Sequence, residues 1–424
     1  MLTRHKHTRL SRAGLSRAGL SRTGHSRTGL SVTGMLAATA LVLAGAPAGA
    51  AAIQIPDHAT LKISGHGFGH GHGLSQYGAQ GAAKKGLTGQ QIVHFYYPHT
   101  KSGHVGGSVK VLITADTDSR TTVVNRTGLA VHDLGRGGKT TLLPAKGVAG
   151  RASQWRLSPG RNGTTQVAYR NAGWHTWRTL AGDGEFRAPK PITLVVGSAR
   201  VTYRGSLQSR TPPPQTSTLR RVTVNKVLLD AYVQGVVPRE MPALWEQAAL
   251  RAQAVAARTY AAFEAHSSTN PRWNLCDTSQ CQVYGGESAE FPTSNEAVAR
   301  TKGQVRMFHR KPAFTQFSSS NGGWESAGGK PYLPAQKDPY EKLSGNPNHT
   351  WTAKVSARTI EKAWPQLGNL QSITIDQRDG HGQWGGRVLV MSLHGSQGDV
   401  QQISGDTFRS ALGLRSTWFT IGVA

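Results

Sequence analysis

One segment of the chain repeats its apolar positions with the period of an α-helix. Positions 244, 248, 252, 255 and 259 form one apolar stripe, and positions 245, 249, 256 and 260 lie beside it. Pro242 precedes them, and proline suits the first turn of a helix, where an N–H has no partner. The pattern predicts an Ala-rich helix that starts after Pro242, runs to about His266 and is buried at the centre of the fold.

Short β-prone runs lie on both sides of this helix, separated by clusters of Gly, Asn and Asp. They occupy residues 109–113, 166–169, 192–196, 222–224, 372–375 and 388–391. The Pro-rich stretch 209–218 is typical of a surface loop or linker. We therefore predict an α+β fold, with mixed and antiparallel sheets around the central helix and a β-rich inserted subdomain.

Four regions follow from these shifts in composition. Residues 1–50 carry seven Lys and Arg and no acid, then an apolar stretch at 35–46 and the small-residue segment Ala-Gly-Ala at 48–50. This order predicts a secretory signal peptide, and the alternative is a basic nucleic-acid-binding arm. The predicted remainder is an N-terminal Gly/His block (51–107), the β-rich insertion (108–218) and the main domain (219–424).

The charge stays strongly positive without the first 50 residues. The full chain has 49 Lys+Arg against 22 Asp+Glu, and removing seven cations leaves 42 against 22, about +20. With 37% hydrophobic residues, the chain is too apolar for a disordered basic tail. No apolar run reaches the roughly 20 residues of a membrane span. Outside the cytoplasm nucleic acid is scarce, so the charge favours cell-wall glycan and anionic wall polymers as partners; the alternative is that it only confers solubility.

Glu240 stands out among the acids because prolines flank it. Residues 238–242 read Pro-Arg-Glu-Met-Pro, and proline fixes φ and restricts the preceding residue. We therefore expect Glu240 on a stiff turn just before the central helix. Burial beside Met241 and Trp245 would raise the pKa of its carboxyl, whereas an adjacent helix N-terminus would lower it. The structural alternative is that Glu240 merely caps the helix.

Glycine alternates with larger residues at positions 65–73. In an extended chain, His66, Phe68, His70 and His72 would share one face, with glycines on the other. His70 occupies a position where the dinucleotide-binding motif G-x-G-x-x-G needs glycine, which argues against a dinucleotide-binding loop here. Three histidines on one face could chelate a metal. His70 could instead face a substrate, or the segment could simply pack as a strand.

The two cysteines, Cys276 and Cys281, are five positions apart. In an exported protein the simplest interpretation is a disulfide that pins a small loop. The alternatives are free thiols and a zinc site completed by two histidines from elsewhere. We expect no cofactor, with zinc as the alternative.

Five blocks of the sequence resemble the stage II sporulation protein D / amidase-enhancer (SpoIID/LytB) family. They are residues 67–81, 232–260, 276–286, 317–323 and 412–419. In that family the block matching 412–419 precedes the Gly/His block, so the resemblance implies a circular permutation here. The permutation requires residues 62–73 to lie beside 418–421 and to complete the same sheet. It also requires His70 and Tyr77 to face the cleft that holds Glu240.

The resemblance implies a lytic transglycosylase that acts on peptidoglycan glycan strands stripped of their peptides. The family's acid falls on Glu240, which would serve as acid and then as base, whereas ordinary glycosidases use two carboxylates. The family's other name implies the alternative, a non-catalytic wall-binding protein that stimulates an amidase. No sporulation role follows from the resemblance, and the oligomeric state does not follow from the sequence.

Several polar and aromatic residues of these blocks are candidate substrate-binding residues. They are Arg239, His70, Ser75, Gln76, Tyr77, Tyr284, Ser319, Ser320 and Asn321.

Overall fold

A computed structural model describes residues 52–424, apart from 136, 145, 147–148, 150 and 214–219. The predicted signal peptide, residues 1–50, lies outside the described residues. Within them the helices are α1 (Gln76–Lys84), α2 (Gly89–Tyr96), α3 (Leu229–Glu240), α4 (Gln247–Ser267), α5 (Pro292–Arg300), α6 (Ala357–Ala363) and α7 (Gly405–Leu412).

The strands of the first half are β1 (Ile53–Gln54), β2 (Thr60–Gly65), β3 (Leu74–Ser75), β4 (Lys101–His104), β5 (Ser108–Leu112), β6 (Thr121–Val124), β7 (Ala130–Asp133), β8 (Thr140–Leu142), β9 (Gln154–Pro159), β10 (Thr165–Asn171), β11 (Gly173–Leu180), β12 (Gly184–Arg187), β13 (Ile192–Val196), β14 (Ala199–Tyr203) and β15 (Ser206–Arg210). Those of the second half are β16 (Val222–Leu228), β17 (Leu275–Cys276), β18 (Gln304–Phe308), β19 (Lys311–Pro312), β20 (Phe317–Ser318), β21 (Trp351–Ser356), β22 (Leu370–Arg378), β23 (Val388–Gly395), β24 (Asp399–Ser404) and β25 (Phe419–Val423).

These strands form sheets that are mostly antiparallel. The larger sheets have the orders β17-β5-β16-β15-β12-β7-β8, β11-β10-β9-β6-β13-β14 and β1-β22-β23-β24; the smaller ones are β21-β2-β25, β19-β18-β4 and the pair β20-β3. The α+β class expected from the sequence is confirmed.

The Ala-rich helix α4 is buried at the centre of the larger hydrophobic core, as expected. It begins at Gln247, however, and not directly after Pro242. The N–H of Glu246 donates to Oε1 of Gln80, 3.0 Å away, and the backbone of Glu246 is extended. This tertiary contact keeps residues 243–246 non-helical, although their sequence pattern favours a helix.

The expected turn at Glu240 is wrong, because Glu240 is the last residue of helix α3. The helix includes Pro238 and ends two residues later, where Met241 becomes extended. A proline in the last turn removes one backbone bond but does not prevent the two residues after it from keeping helical geometry. Glu240 is therefore held at a helix C-terminus.

The β-rich region after residue 108 shares a sheet with the chain that follows it. Strand β16 lies between β5 and β15, with Lys226 opposite Lys110 on one side and Ser206 on the other. The predicted boundary at 218 thus falls between two hydrogen-bonded strands, β15 and β16. The sheet β11-β10-β9-β6-β13-β14, by contrast, draws its strands from residues 121–203 alone.

A second hydrophobic core lies around the chain ends, where β2 forms the middle strand of the sheet β21-β2-β25. Gly65 is opposite Phe419 on one side and Trp351 on the other. Residues 62–65 pair with 419–422, as the permutation requires, but the strand pairing ends at Gly65, so residues 66–73 do not extend the sheet as expected. The permutation itself stays a prediction. Among the described residues, no helix is both long and apolar enough to span a membrane.

Candidate functional site

Residues 65–73 of the Gly/His block do not form the extended strand that their alternating glycines suggest. Strand β2 ends at Gly65, and the glycines at 67, 69, 71 and 73 have φ values of 79°, 105°, 77° and 63°. Between the end of β2 and the start of β3, the only strand-like backbone pairing is a single bridge between Phe68 and Ser320. The period of two therefore marks a repeated left-handed backbone, which glycine adopts without steric cost.

These glycines are also required by close packing. An added Cβ at Gly67 would lie 2.8 Å from the carbonyl oxygen of Ser320, and one at Gly69 would lie 2.7 Å from Cβ of Ser318. At Gly73 it would overlap the carbonyl oxygen of Gln316. The block is thus pressed against the 316–321 segment, which brings two distant parts of the sequence together.

A cavity of about 860 Å³ opens where these two segments meet the end of α3. Its lining includes four of the candidate catalytic and substrate-binding residues: Glu240, His70, Gln76 and Ser319. It also includes Phe68, Gly69, Tyr260, Ser279, Gln280, Cys281, Gln316, Phe317, Ser318, Asp406, Arg409 and Ser410. His70 and Glu240 therefore face one cleft, although 170 positions separate them.

The carboxyl of Glu240 is held from two sides. Its Oε1 accepts a hydrogen bond from the N–H of Val283 at 2.6 Å, and the side chain of Gln76 forms another. Burial raises the pKa of Glu240 above its usual value, against these two hydrogen bonds and the nearby charge of Arg239, which lower it. Because Glu240 ends a helix, the helix dipole also disfavours its anion, opposite to the expected effect of a helix N-terminus.

A disulfide between Cys276 and Cys281 closes the loop that leads to Val283. Cys281 lines the cavity, and the N–H of Cys281 donates to the carbonyl of Thr278 at 2.9 Å. The disulfide favoured by the sequence is therefore present, and it shapes the segment that supplies the N–H donor to Glu240. Arg239 is exposed beside this loop.

His70 is oriented by backbone groups. Its Nδ1 accepts from the N–H of His72 at 2.9 Å, its ring stacks on that of His72 at 4.9 Å, and the Phe317 backbone also bonds to it. Burial, with the nearby charges of His72 and Arg387, lowers the pKa of His70 to about 3. A neutral imidazole can form polar contacts with a ligand but cannot supply a positive charge near neutral pH.

The remaining candidates do not line the cavity. Ser75 caps helix α1, and both Ser75 and Ser320 donate to the buried carboxyl of Glu341. Asn321 donates to Asp338. Tyr284 donates to Asn225 at 2.8 Å, and the ring of Tyr77 packs on Trp245 at 4.9 Å. The polar groups of Ser75, Ser320, Asn321 and Tyr284 are thus used within the protein, which argues for positioning roles.

Sequence reasoning missed the buried acids beneath the Gly/His block. Burial and the nearby charge of Asp338 raise the pKa of Glu341 to about 7, against hydrogen bonds from Ser320, Ser75 and Asn346. Asp338 accepts from Tyr96 and Asn321. Neither acid lies in a block that resembles the family, and no local pattern would have identified them.

A second acid, Asp406, lines the cavity, and no sequence pattern singles it out. It forms an ion pair with Arg409 at 2.7 Å on the short helix α7. Three other acids in or beside the family-like blocks, Asp277, Glu287 and Glu325, do not line this cavity. Asp277 accepts from Thr114 instead.

The three histidines of the block do not share a face. His66 lies near Trp418 and Trp384, at ring distances of 4.7 and 5.0 Å, whereas His70 stacks on His72. Within the described part of the chain, no group of three or more His, Cys, Asp or Glu could hold a metal ion. The expectation of no cofactor stays a prediction.

Comparison with known proteins points to one family. The family model described as stage II sporulation protein, SpoIID, matches residues 218–308. An amidase enhancer of Bacillus subtilis (strain 168) is 39% identical over 135 residues, which cover 30% of this chain and 17% of that protein. A stage II sporulation protein D of Bacillus amyloliquefaciens is 30% identical over 220 residues, covering 46% of this chain and 61% of that protein. This chain therefore spans less than two thirds of each of these relatives. Over these segments, which include the motif around Glu240, the chain is similar to members of the SpoIID family.

Proposed function

We propose that the protein is an exported lytic transglycosylase that cleaves peptide-stripped peptidoglycan glycan strands. The observation that carries this proposal is a single partly buried carboxyl, Glu240, with a raised pKa at the edge of a large polar cavity. A raised pKa increases the fraction of Glu240 that carries a proton at a given pH, and a general acid must begin the reaction protonated.

The reaction needs one proton donor that later becomes the acceptor. Protonated Glu240 donates its proton to the glycosidic oxygen as the bond to C1 breaks. The carboxylate then takes the proton of the C6 hydroxyl, and that oxygen closes on C1 to give a 1,6-anhydro end. The carboxyl ends the cycle protonated again, so no water molecule is consumed.

Two features of the cavity support this substrate. Its lining is rich in hydroxyl and amide groups, such as Ser319 and Gln280, which suit sugar hydroxyls. Arg409 also lines the cavity, in an ion pair with Asp406, and glycan stripped of peptides exposes lactyl carboxylates that could compete with Asp406 for its guanidinium. The test is incubation with peptide-stripped glycan strands and detection of 1,6-anhydro products by mass spectrometry.

A second candidate function rests on the name of one relative, amidase enhancer. In that case the protein binds wall glycan without cleaving it and stimulates a separate amidase. Binding without anhydro product, together with a faster amidase reaction, would favour this candidate.

The pH dependence of cleavage should follow the proton on Glu240. Activity requires the protonated acid, so kcat/KM falls as pH rises through the pKa of Glu240. Replacing Gln76 by Leu removes a hydrogen bond that lowers this pKa, so we expect the falling limb to move to higher pH. Gln90→Leu, at an exposed position of α2, is the control and should leave the profile unchanged. A limb that stays in place in Gln76→Leu would contradict the role of Glu240 as the titrating acid.

Binding to intact wall glycan should weaken with salt. The chain without residues 1–50 carries about +20, from 42 Lys+Arg against 22 Asp+Glu, and exposed charges are screened beyond about 8 Å at physiological ionic strength. We expect sedimentation with purified walls to fall steeply between low salt and several hundred millimolar. Neutral chitin is the control, and its binding should change little. Equal retention on both materials at all salt concentrations would show that the charge is incidental.

A further inference from the structure

A strained tryptophan lies in a tight turn outside the Glu240 cavity. Trp384 has φ 59° and ψ 18°, in the left-handed region that bulky residues rarely adopt. Such a conformation costs about 1–2 kcal/mol for a residue other than glycine. Strain of this size persists only where the surroundings impose it, and it often marks a functional position.

The turn around Trp384 is closed by a carboxylate and by backbone bonds. Oδ1 of Asp379 accepts from the N–H groups of His381 and Arg387, at 3.1 and 2.9 Å. The N–H of Gly380 donates to the carbonyl of Gly385 at 2.9 Å. The turn is therefore fixed, and the position of the indole is set by it.

Neighbouring side chains hold the indole ring in place but leave it partly exposed. The ring of His66 lies 5.0 Å from that of Trp384. Nε2 of His66 bonds to Oε1 of Gln383 at 2.9 Å, and Nδ1 bonds to the carbonyl of His349 at 3.0 Å. Trp418 donates its indole N–H to the carbonyl of Gln383. Because both nitrogens of His66 are engaged, this histidine supports the ring and is not available as a metal ligand.

A cavity of about 400 Å³ lies against this indole, with no lining residue in common with the Glu240 cavity. Its walls combine the aromatic side chains Trp384, Trp351 and His66 with the hydroxyls of Ser64, Thr350 and Thr352. None of its lining residues is Asp, Glu, Lys or Arg.

This composition matches a neutral ligand that has an apolar face and several hydroxyl or amide groups, and a sugar ring is such a ligand. A phosphate or carboxylate ligand would be favoured by Lys or Arg, and neither lines this cavity. The cavity also lies close to the Glu240 site along the chain, because His66 is two residues from Phe68, at most about 7 Å between Cα atoms.

We propose that the Trp384 cavity is a second sugar-binding site, in which an N-acetylated sugar ring stacks on the indole. The proposal rests on the proposed function for the nature of the ligand, a glycan strand. This site would raise the affinity of the protein for the glycan strand by binding a sugar other than the two that flank the cleaved bond.

The test measures binding of N-acetylglucosamine hexamer by calorimetry in a Glu240→Gln background, which prevents turnover. Trp384→Gly removes the ring and also relieves the left-handed strain, so the fold should be retained. We expect its Kd to rise roughly fivefold to tenfold, the loss of one aromatic contact. Phe291→Ala, which removes an exposed aromatic ring elsewhere, is the control and should leave Kd unchanged.

A second variant blocks the cavity and leaves Trp384 in place. Thr352→Tyr, at an exposed position of β21, fills the space beside the ring and should weaken binding similarly. An unchanged Kd in either folded variant would overturn the proposal. If the wild-type protein forms no anhydro product, but both variants bind the hexamer more weakly than their parent does, the proposed function fails and this site stands. If product forms but Kd is unchanged, the site alone fails.

Discussion

Replacing Glu240 by Gln is expected to abolish the formation of 1,6-anhydro products. A general acid contributes about 10²–10⁴ in rate, and here the same group must also act as the base, so the loss should lie at the upper end of that range or beyond it. Glutamine keeps an oxygen that can accept from Val283, whose N–H lies 2.6 Å from Oε1 of the glutamate. We therefore expect the melting temperature to change by only a few degrees.

Glu246→Gln is the matched control, because it makes the same chemical change at an exposed acid six residues away. It should retain full activity. Cleavage that survives in a well-folded Glu240→Gln protein would exclude Glu240 as the acid. In that case Asp406, the second acid in the cavity, would become the residue to replace.

Replacing Gly73 by Ala should destabilise the protein by about 2–5 kcal/mol. Gly73 has φ 63°, where an L-residue costs about 1–2 kcal/mol. The added Cβ would also overlap the carbonyl oxygen of Gln316 and press on the buried ring of Tyr97, and overpacking typically adds about 1–3 kcal/mol. The free energy of unfolding in denaturant measures the change.

Gly86→Ala separates the two contributions. Gly86 also has a positive φ, 89°, but an added Cβ would meet nothing within 4 Å. We expect a loss of only about 1–2 kcal/mol there, from backbone strain alone. Equal losses at the two positions would show that the close approach of residues 73 and 316 is not what requires glycine.

The sequence predicts local features well where one periodic pattern dominates. The apolar stripe from residue 244 identifies the buried helix, and the run 192–196 coincides with β13. The start of that helix is not predictable in this way, because a side chain 166 positions away, Gln80, sets it. The same limit applies to the Gly/His block, since alternation of glycine looks like a strand until φ is known.

For the candidate site, the sequence identifies some residues that line the cavity but does not predict the role of each. Glu240, His70, Gln76 and Ser319 are brought to one cavity, as their motifs suggested. Ser75 and Ser320 belong to equally specific motifs, yet both bond to Glu341, a buried acid that no motif contains. A motif identifies residues that act together, but it does not separate those that line a cavity from those that hold its wall in place.

The central position of β2 in its sheet has a consequence for the order of folding. Both of its neighbours, β21 and β25, lie more than 280 residues later in the chain, and β25 comprises residues 419–423. Contacts of such long sequence separation form late, after a large loss of chain entropy. The Gly/His block that follows β2 can therefore reach its final place only when nearly the whole polypeptide is available. Removal of the last six residues would leave one edge of β2 unpaired, and an unpaired edge promotes aggregation.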